Sequence, residues 1–272
     1  MGGSFSLLET IPVPANQMRM AYRVGLGLLL AAVLGFVFAR HRSSSVSAAA
    51  GPRAPVLVEL FTSEGCSSCP PADELLARLD REQSIDGSDV IVLGEHVDYW
   101  DRLGWKDRFS SPTYTQRQTA YAERLGLDSA YTPQAVVNGR TELVASDSAK
   151  LRRAVTDNAH PSQVDIALTQ EGESVHVRAK PLADFSNAHV FLAITQSGAT
   201  SEVKSGENGG RTLHHAPVVL QFSDLGPVGK NIADVHTRLD ASLAGLKELR
   251  AVGFVQDPKT LTIFGASQLQ LH

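Results

Sequence analysis

The apolar positions along the chain fall into three textures. The first is an unbroken run of 16 residues from Val24 to Ala39, with Arg19 and Arg23 before it and Arg40-His41-Arg42 after it. Its length lies between a cleavable signal core and a spanning helix, so it reads as an export element, either a removed signal or a retained anchor. Small residues follow, Ser43-Ser44-Ser45 and then Ala48-Ala49-Ala50-Gly51-Pro52, suited to a cleavage region or a tether. Residues 1–53 are therefore expected to be a signal or membrane-anchor segment and linker.

From Pro55 strand and helix signals alternate. Val56 to Phe61 is a short apolar run, and Cys66 to Cys69 leads through Pro70-Pro71 to Leu75, Leu76 and Leu79 at helical spacing, which predicts strand, turn and helix. Val90-Ile91-Val92-Leu93 predicts a second buried strand. Tyr114, Tyr121, Ala122 and Leu125 predict one face of another helix. Gln134 to Val137 runs into Asn138-Gly139, with Thr141 to Ala145 as its hairpin partner. Ala149, Leu151, Ala154 and Val155 mark a closing helix.

After His160-Pro161 the period changes to two. Val164, Ile166 and Leu168 alternate with polar neighbours, as do Val175 and Val177 across a Glu171-Gly172-Glu173 turn. Further strands are expected at Val190–Ile194, Val218–Phe222, Arg250–Gln256 and Leu261–Phe264. The pattern predicts an α/β domain over 54–160 and an antiparallel β-sandwich-like domain over 161–272.

Composition narrows the functions. The chain has 272 residues and a formal charge of −4, and its first 50 residues hold four Arg against the lone Glu9, which leaves the remainder near −7. That surface offers no footprint for a phosphate backbone, so no nucleic-acid partner is expected. With two cysteines in the whole chain, a disulfide-framework scaffold is excluded.

Those two, Cys66 and Cys69, bracket Ser67 and Ser68 where a strand hands over to a helix. Three readings stand. A structural staple closing so short a loop removes little unfolded-state entropy. A metal site has two of the four ligands of a tetrahedral set, and His96 with His214 or His215 would have to complete it. Redox chemistry suits a helix N-terminus, whose N–H groups and partial positive charge favour a thiolate. On that reading Cys66, at the exposed edge of the turn, attacks a substrate disulfide, and the more buried Cys69 resolves the mixed disulfide.

The order strand, Cys-x-x-Cys, helix, strand and then Thr132-Pro133 before a hairpin resembles the thioredoxin fold. More closely, Phe61 to Asp73, Asp98-Tyr99-Trp100-Asp101 with Gly104-Trp105, and Tyr131 to Gln134 resemble an uncharacterised family of secreted thioredoxin-like proteins carrying a domain of unknown function, over residues 54–272. The resemblance implies that Pro133 is cis and faces the cysteines, that Thr132 beside it contacts substrate, and that Glu59 is a buried proton acceptor, one residue further from Cys66 than in thioredoxins. The aromatic residue before the first cysteine and the Gly-Pro between the pair are lacking here.

Asp98, Trp100, Asp101 and Trp105 lie beyond the second strand and, with Glu95 and His96, form either a substrate groove wall or a capping loop packed on the core. Gly206 to Arg211, followed by His214-His215, reads as a mobile hairpin tip or as a partner- or metal-binding loop. The function expected is an exported, periplasmic or extracellular thiol–disulfide oxidoreductase acting on another exported protein. It needs no dissociable cofactor and meets the membrane only through residues 24–39. The alternatives are a copper or zinc carrier using the same cysteines plus a histidine, and a redox-inert interaction module.

Overall fold

The computed structural model describes residues 54–185, 187–228 and 231–272. The Val24–Ala39 segment lies outside them. Among the described residues no helix is long and apolar enough to cross a membrane.

Strand β1 (Ala54–Thr62) is followed by helix α1 (Pro70–Glu82), which buries Leu75, Leu76 and Leu79, the predicted face. Two prolines sit in its first turn, where a missing N–H leaves no bond unmade. Next come β2 (Ser84–Ile85), β3 (Ser88–His96) and helix α2 (Pro112–Leu125), which buries Tyr114, Gln118, Tyr121 and Ala122. The hairpin of β4 (Gln134–Val137) and β5 (Thr141–Val144) turns through Asn138 and Gly139, both at positive φ, as an Asn-Gly pair favours. Helix α3 (Ser148–Asp157) buries Leu151, Ala154 and Val155 and is capped by the Asp147 carboxylate.

The second half supplies β6 (Val164–Glu171), β7 (Ser174–Pro181), β8 (His189–Gln196), β9 (Thr200–Glu202), β10 (Thr212–His214), β11 (Val218–Pro227), β12 (Ala233–Arg238), β13 (Leu249–Gln256) and β14 (Ile263–Gln270). The β6–β7 hairpin forms where period-two alternation places it. The last strand starts two residues later than expected, because Leu261 takes a left-handed backbone conformation in the preceding turn.

The two textures do not make two separate sheets. Strands from both sides of residue 160 build one nine-stranded sheet in the order β14-β13-β8-β11-β3-β1-β4-β5, with β2 on β3. The described residues from 54 to 272 fall in one compact unit. The seam is β11 against β3, parallel, with Val218 opposite Gly94. Gly94 N donates to Pro217 O at 2.6 Å, and a Cβ on Gly94 would stand 2.9 Å from that oxygen, so only glycine lets the two strands meet there.

Sheet register sorts the core by face. Val56, Val58 and Leu60 of β1 face α1 and α3, while Leu57 and Phe61 face α2. Sandwich-like packing does occur: the three-stranded sheet β12-β7-β6 covers Val190, Leu192 and Ile194 of β8 and Ala251 and Val255 of β13. One layer of that sandwich is the far end of the shared sheet. The chain is thus mixed α/β, dominated by sheet, with mostly antiparallel pairing around a parallel β1–β3–β11 centre.

Candidate functional site

The site lies at the carboxyl ends of β1 and β3, where Thr62 stands opposite His96. The loop after β1 tightens in two turns, with Cys66 N bonding Ser63 O and Cys69 N bonding Cys66 O, and helix α1 opens directly from Cys69. Cys66 and Cys69 are joined in a disulfide, and Ser68 Oγ lies 3.3 Å from Cys66 Sγ. The Thr132–Pro133 peptide bond is cis. Trp100 links the two features: its indole N–H donates to Thr132 Oγ1 at 2.9 Å, and a Cβ on Gly65 would stand 3.1 Å from Trp100 Cβ.

Exposure corrects one expectation. Cys66 is 0% exposed and Cys69 1%, although Ser67 and Ser68 between them face solvent. A loop from the far half of the chain is docked on the turn. Asn208, fully buried, donates through Nδ2 to both Glu64 O and Cys66 O at 2.9 Å, and Ser67 N donates to Glu207 Oε2 at 3.1 Å. Ser205 Oγ donates to Gly104 O, tying the same loop to the Trp100–Trp105 segment. The Gly206–Arg211 stretch, expected as a mobile tip or a partner- or metal-binding loop, is docked on the turn, where its one amide side chain satisfies the Glu64 carbonyl and adds a second bond to the Cys66 carbonyl that Cys69 N already engages.

Behind the disulfide lies a cluster of buried polar groups. Thr62 Oγ1 donates to Asp73 Oδ2 at 2.6 Å, and Trp105 Nε1 donates to Glu64 Oε2 at 2.6 Å. His96 Nδ1 and Asp107 Oδ2 are 2.6 Å apart, and Asp107 also accepts from the backbone N–H groups of Glu64 and Phe109. His215 stands between two carboxylates, with Nε2 3.5 Å from Glu64 Oε1 and Nδ1 3.9 Å from Asp73 Oδ1. The His96 and His215 rings meet edge to face at 5.0 Å, and Phe109 packs on both.

Burial alone would depress the His215 pKa, but Asp73 and Glu64 outweigh it and raise it to about 9. Burial likewise opposes ionisation of Glu64, yet contacts with His215, Ser201 and Trp105 hold its pKa below the usual carboxylate value, against the charge of Asp107. Asp107 is held down in the same way, burial being overcome by His96 and the two backbone N–H groups.

A folded-state pKa above the unfolded one means that stability is fully present below about 6.5 and is lost as pH rises through about 9. The shift corresponds to a loss of the order of 3 kcal/mol. Urea unfolding at pH 6 and pH 9.5 should therefore show a marked fall for the native chain and little for His215→Gln. The facing groups are Glu64 and Asp73, with His96 and Asp107 behind them. Equal pH dependence in both proteins would refute the assignment.

Glu59 does not sit beneath the cysteines. Its position in β1 points it to the α2 face, where Arg117 Nε donates to Oε1 at 2.5 Å and the Tyr121 hydroxyl donates to Oε2. Glu95 shares that pocket, 3.6 Å from Arg117, and its pKa is pushed well up by burial and by the charge of Glu59, so it is held protonated. The proton-acceptor role implied for Glu59 is thus replaced by a buried ion pair. Alternation decides this: residues 59 and 95 fall on one face of the sheet and α1 on the other.

His96 and Glu95 are 1% and 0% exposed, so neither forms a groove wall. The 98–111 segment bonds to itself and to α2: Asp98 accepts from Thr115, and Asp101 accepts from Ser110 and from Asp107 N. Trp100 and Trp105 are half-buried with both indole N–H groups engaged. His214 is exposed and only its neighbour His215 enters the cluster. A cavity of about 650 Å³ among Arg238, Leu243, Leu249 and Leu271 shares no residue with this centre.

Sequence reasoning missed Glu64, Asp107 and Asn208 as partners in one centre. The nearest signal was the density of acidic and aromatic residues in the stretches 61–73 and 98–107.

These elements define a class before they define a chemistry. The profile of the family described as "Protein of unknown function (DUF1223)" matches residues 57–256, and the chain belongs to that family. Among solved structures it is similar to the crystal structure of protein AGR_C_4864 from Agrobacterium tumefaciens, with 30% identity, 79% of this chain and 93% of that one covered, and a TM-score of 0.65. A domain of the outer membrane lipoprotein Omp28 from Porphyromonas gingivalis gives 11% identity over 41% of this chain and 89% of that one, at a TM-score of 0.26. No curated protein matches.

Proposed function

We propose that the protein is an exported thiol–disulfide oxidoreductase with a thioredoxin-like catalytic region over residues 54–160. The observation that carries this reading is the Cys66–Cys69 disulfide at the N-terminus of α1, coupled through Trp100 to the cis Thr132–Pro133 bond. The parallel β1–β3 pair, the antiparallel β4–β5 hairpin beside β1, and α1 and α3 on one face with α2 on the other support the fold assignment. A disulfide fits an oxidising compartment, as does the Val24–Ala39 export segment.

The disulfide is the oxidised end of a two-electron cycle. In the reduced form the Cys66 thiolate attacks one sulfur of a substrate disulfide, forming a mixed disulfide and releasing the other sulfur as a thiolate. Cys69 then attacks Cys66 Sγ, which frees the second substrate thiolate and restores the internal disulfide. The α1 N-terminus favours the thiolate form of the pair, and Ser68 Oγ is in place to donate to Cys66 Sγ. Since both sulfurs are covered, exchange requires the Ser205–Arg211 loop to lift. With its sulfurs bonded to each other, the oxidised form has no thiolate to offer a metal, so the copper or zinc carrier reading would depend on the reduced form.

The test is reduction of insulin disulfides with dithiothreitol as electron source. The native chain should accelerate it, and Cys69→Ser should trap a mixed disulfide through Cys66. Cys66→Ser should do neither. Full activity in both variants, or no acceleration by the native chain, would eliminate the proposal.

A further inference from the structure

The buried cluster behind the disulfide contains more than a self-satisfied network. His96 Nε2 is buried without a hydrogen-bond partner, on a residue only 1% exposed. Protonated it would be an unsatisfied donor, and unprotonated it is an unused lone pair, and either state costs free energy in the interior. Its other nitrogen is committed to Asp107. The same division holds at His215. Ser201 and Glu64 stand 3.2 and 3.5 Å from Nε2, while Nδ1 looks toward Asp73 Oδ1 at 3.9 Å. Each histidine therefore has a carboxylate on one nitrogen and its other nitrogen turned to a common space. One donor atom from each of Asp73, His96 and His215 lies within 4.8 Å of the others.

We propose that Asp73, His96 and His215 form a binding site for one divalent first-row transition metal ion, held without the cysteine sulfurs. Two imidazoles and one carboxylate suit zinc, iron or manganese, whereas Cu(I) prefers sulfur and Ca²⁺ or Mg²⁺ prefers an all-oxygen shell. The supporting contacts are those that orient metal ligands: Asp107 on His96, Glu64 on His215, and Thr62 on Asp73 Oδ2. Charge agrees. Glu64, Asp73 and Asp107 are three carboxylates, each at most 3% exposed, and none of their described ion pairs involves Lys or Arg. Even two protonated histidines would leave the group negative.

Ligand atoms around a four-coordinate ion with bonds of ~2.0–2.1 Å lie about 3.4 Å apart, so the three side chains close on the ion by about 1 Å. Three protein ligands leave a position open to water or to a further ligand. A cleft of about 450 Å³ lined by Asp80, Ser197 and His214 reaches His215, one of the three ligands.

The inference does not rest on the exchange reaction, and its test keeps the two apart. Full-length protein, stripped with a chelator and with its disulfide intact, is titrated with Zn²⁺ by calorimetry and with Co²⁺ by visible absorption. The expected result is one ion per chain, a cobalt spectrum without a sulfur charge-transfer band, and at least about a hundredfold weaker binding in His96→Ala and His215→Ala. Asp73→Asn, nearly isosteric, serves where an alanine variant does not fold. His176→Ala, in the exposed Glu171–His176–His236 group, should bind as the native chain does. No saturable binding by the native chain, unchanged affinity in His96→Ala and Asp73→Asn, or loss of binding in His176→Ala would overturn it.

Discussion

Replacing Asn208 by alanine is expected to speed reduction of the Cys66–Cys69 disulfide about thirtyfold. Asn208 Nδ2 holds the backbone carbonyls of Glu64 and Cys66, and its Oδ1 accepts from Arg211 Nη1, so the side chain pins the loop at both ends. Each of the two bonds to the cysteine turn contributes about 1 kcal/mol, and losing both shifts the closed-to-open balance of the loop by about 2 kcal/mol. At about 1.4 kcal/mol per factor of ten, that is roughly a thirtyfold rise in the open population. Where opening is fast relative to chemistry, the rate follows that population. The measurement is the second-order rate of reduction by dithiothreitol in native buffer, with urea unfolding as the control for global stability. An unchanged rate in a folded variant would show that the loop does not gate the sulfurs.

The second large effect is on folding. Arg117→Ala should cost about 3–5 kcal/mol, the range for removing one partner of a buried ion pair. Arg117 is enclosed by Tyr121, Phe191, Phe222 and Phe254, donates to Glu59 and Gln256, and lies 3.6 Å from Glu95. Its removal leaves Glu59, 0% exposed, without a cation, beside the Tyr121 hydroxyl and the Glu95 carboxyl. It also removes one of two side-chain bonds between α2 and β13, the Arg117–Gln256 contact, and leaves the one from Gln256 Nε2 to the Tyr121 hydroxyl. The urea midpoint reports the loss, and Glu59→Gln added to Arg117→Ala should recover part of it. A single variant within about 1 kcal/mol of the native chain would contradict the buried-pair account.

Local periodicity carried the sequence reading well. Leu75, Leu76 and Leu79 identified the buried side of α1, Asn138-Gly139 fixed the β4–β5 turn, and alternation from Val164 to Val177 marked the β6–β7 hairpin. What escaped depends on pairing at long range. Nothing near Val218 announces that it lies beside Gly94, more than 100 residues earlier, although a glycine within an apolar strand is the recognised mark of a close backbone approach. The same distance hid the docking of Asn208 on the Cys66 carbonyl and the meeting of His215 with His96. His214 and His215 look alike in sequence, and only the strand parity of β10 decides which one turns inward. Glu59 was misplaced because proximity in sequence to Cys66 says nothing about which side of a pleated sheet a carboxylate occupies.

The seam between β3 and β11 makes the sulfur pair an internal gauge of the entire unit. Because the amide bonded to the Cys66 carbonyl lies between β9 and β10, which connect β8 to β11 of the shared sheet, loosening along β8 or β11 should be felt as easier reduction at residue 66. On that expectation, a chain whose C-terminal strands are undocked would have its Cys66–Cys69 bond reduced faster than it is in the complete fold.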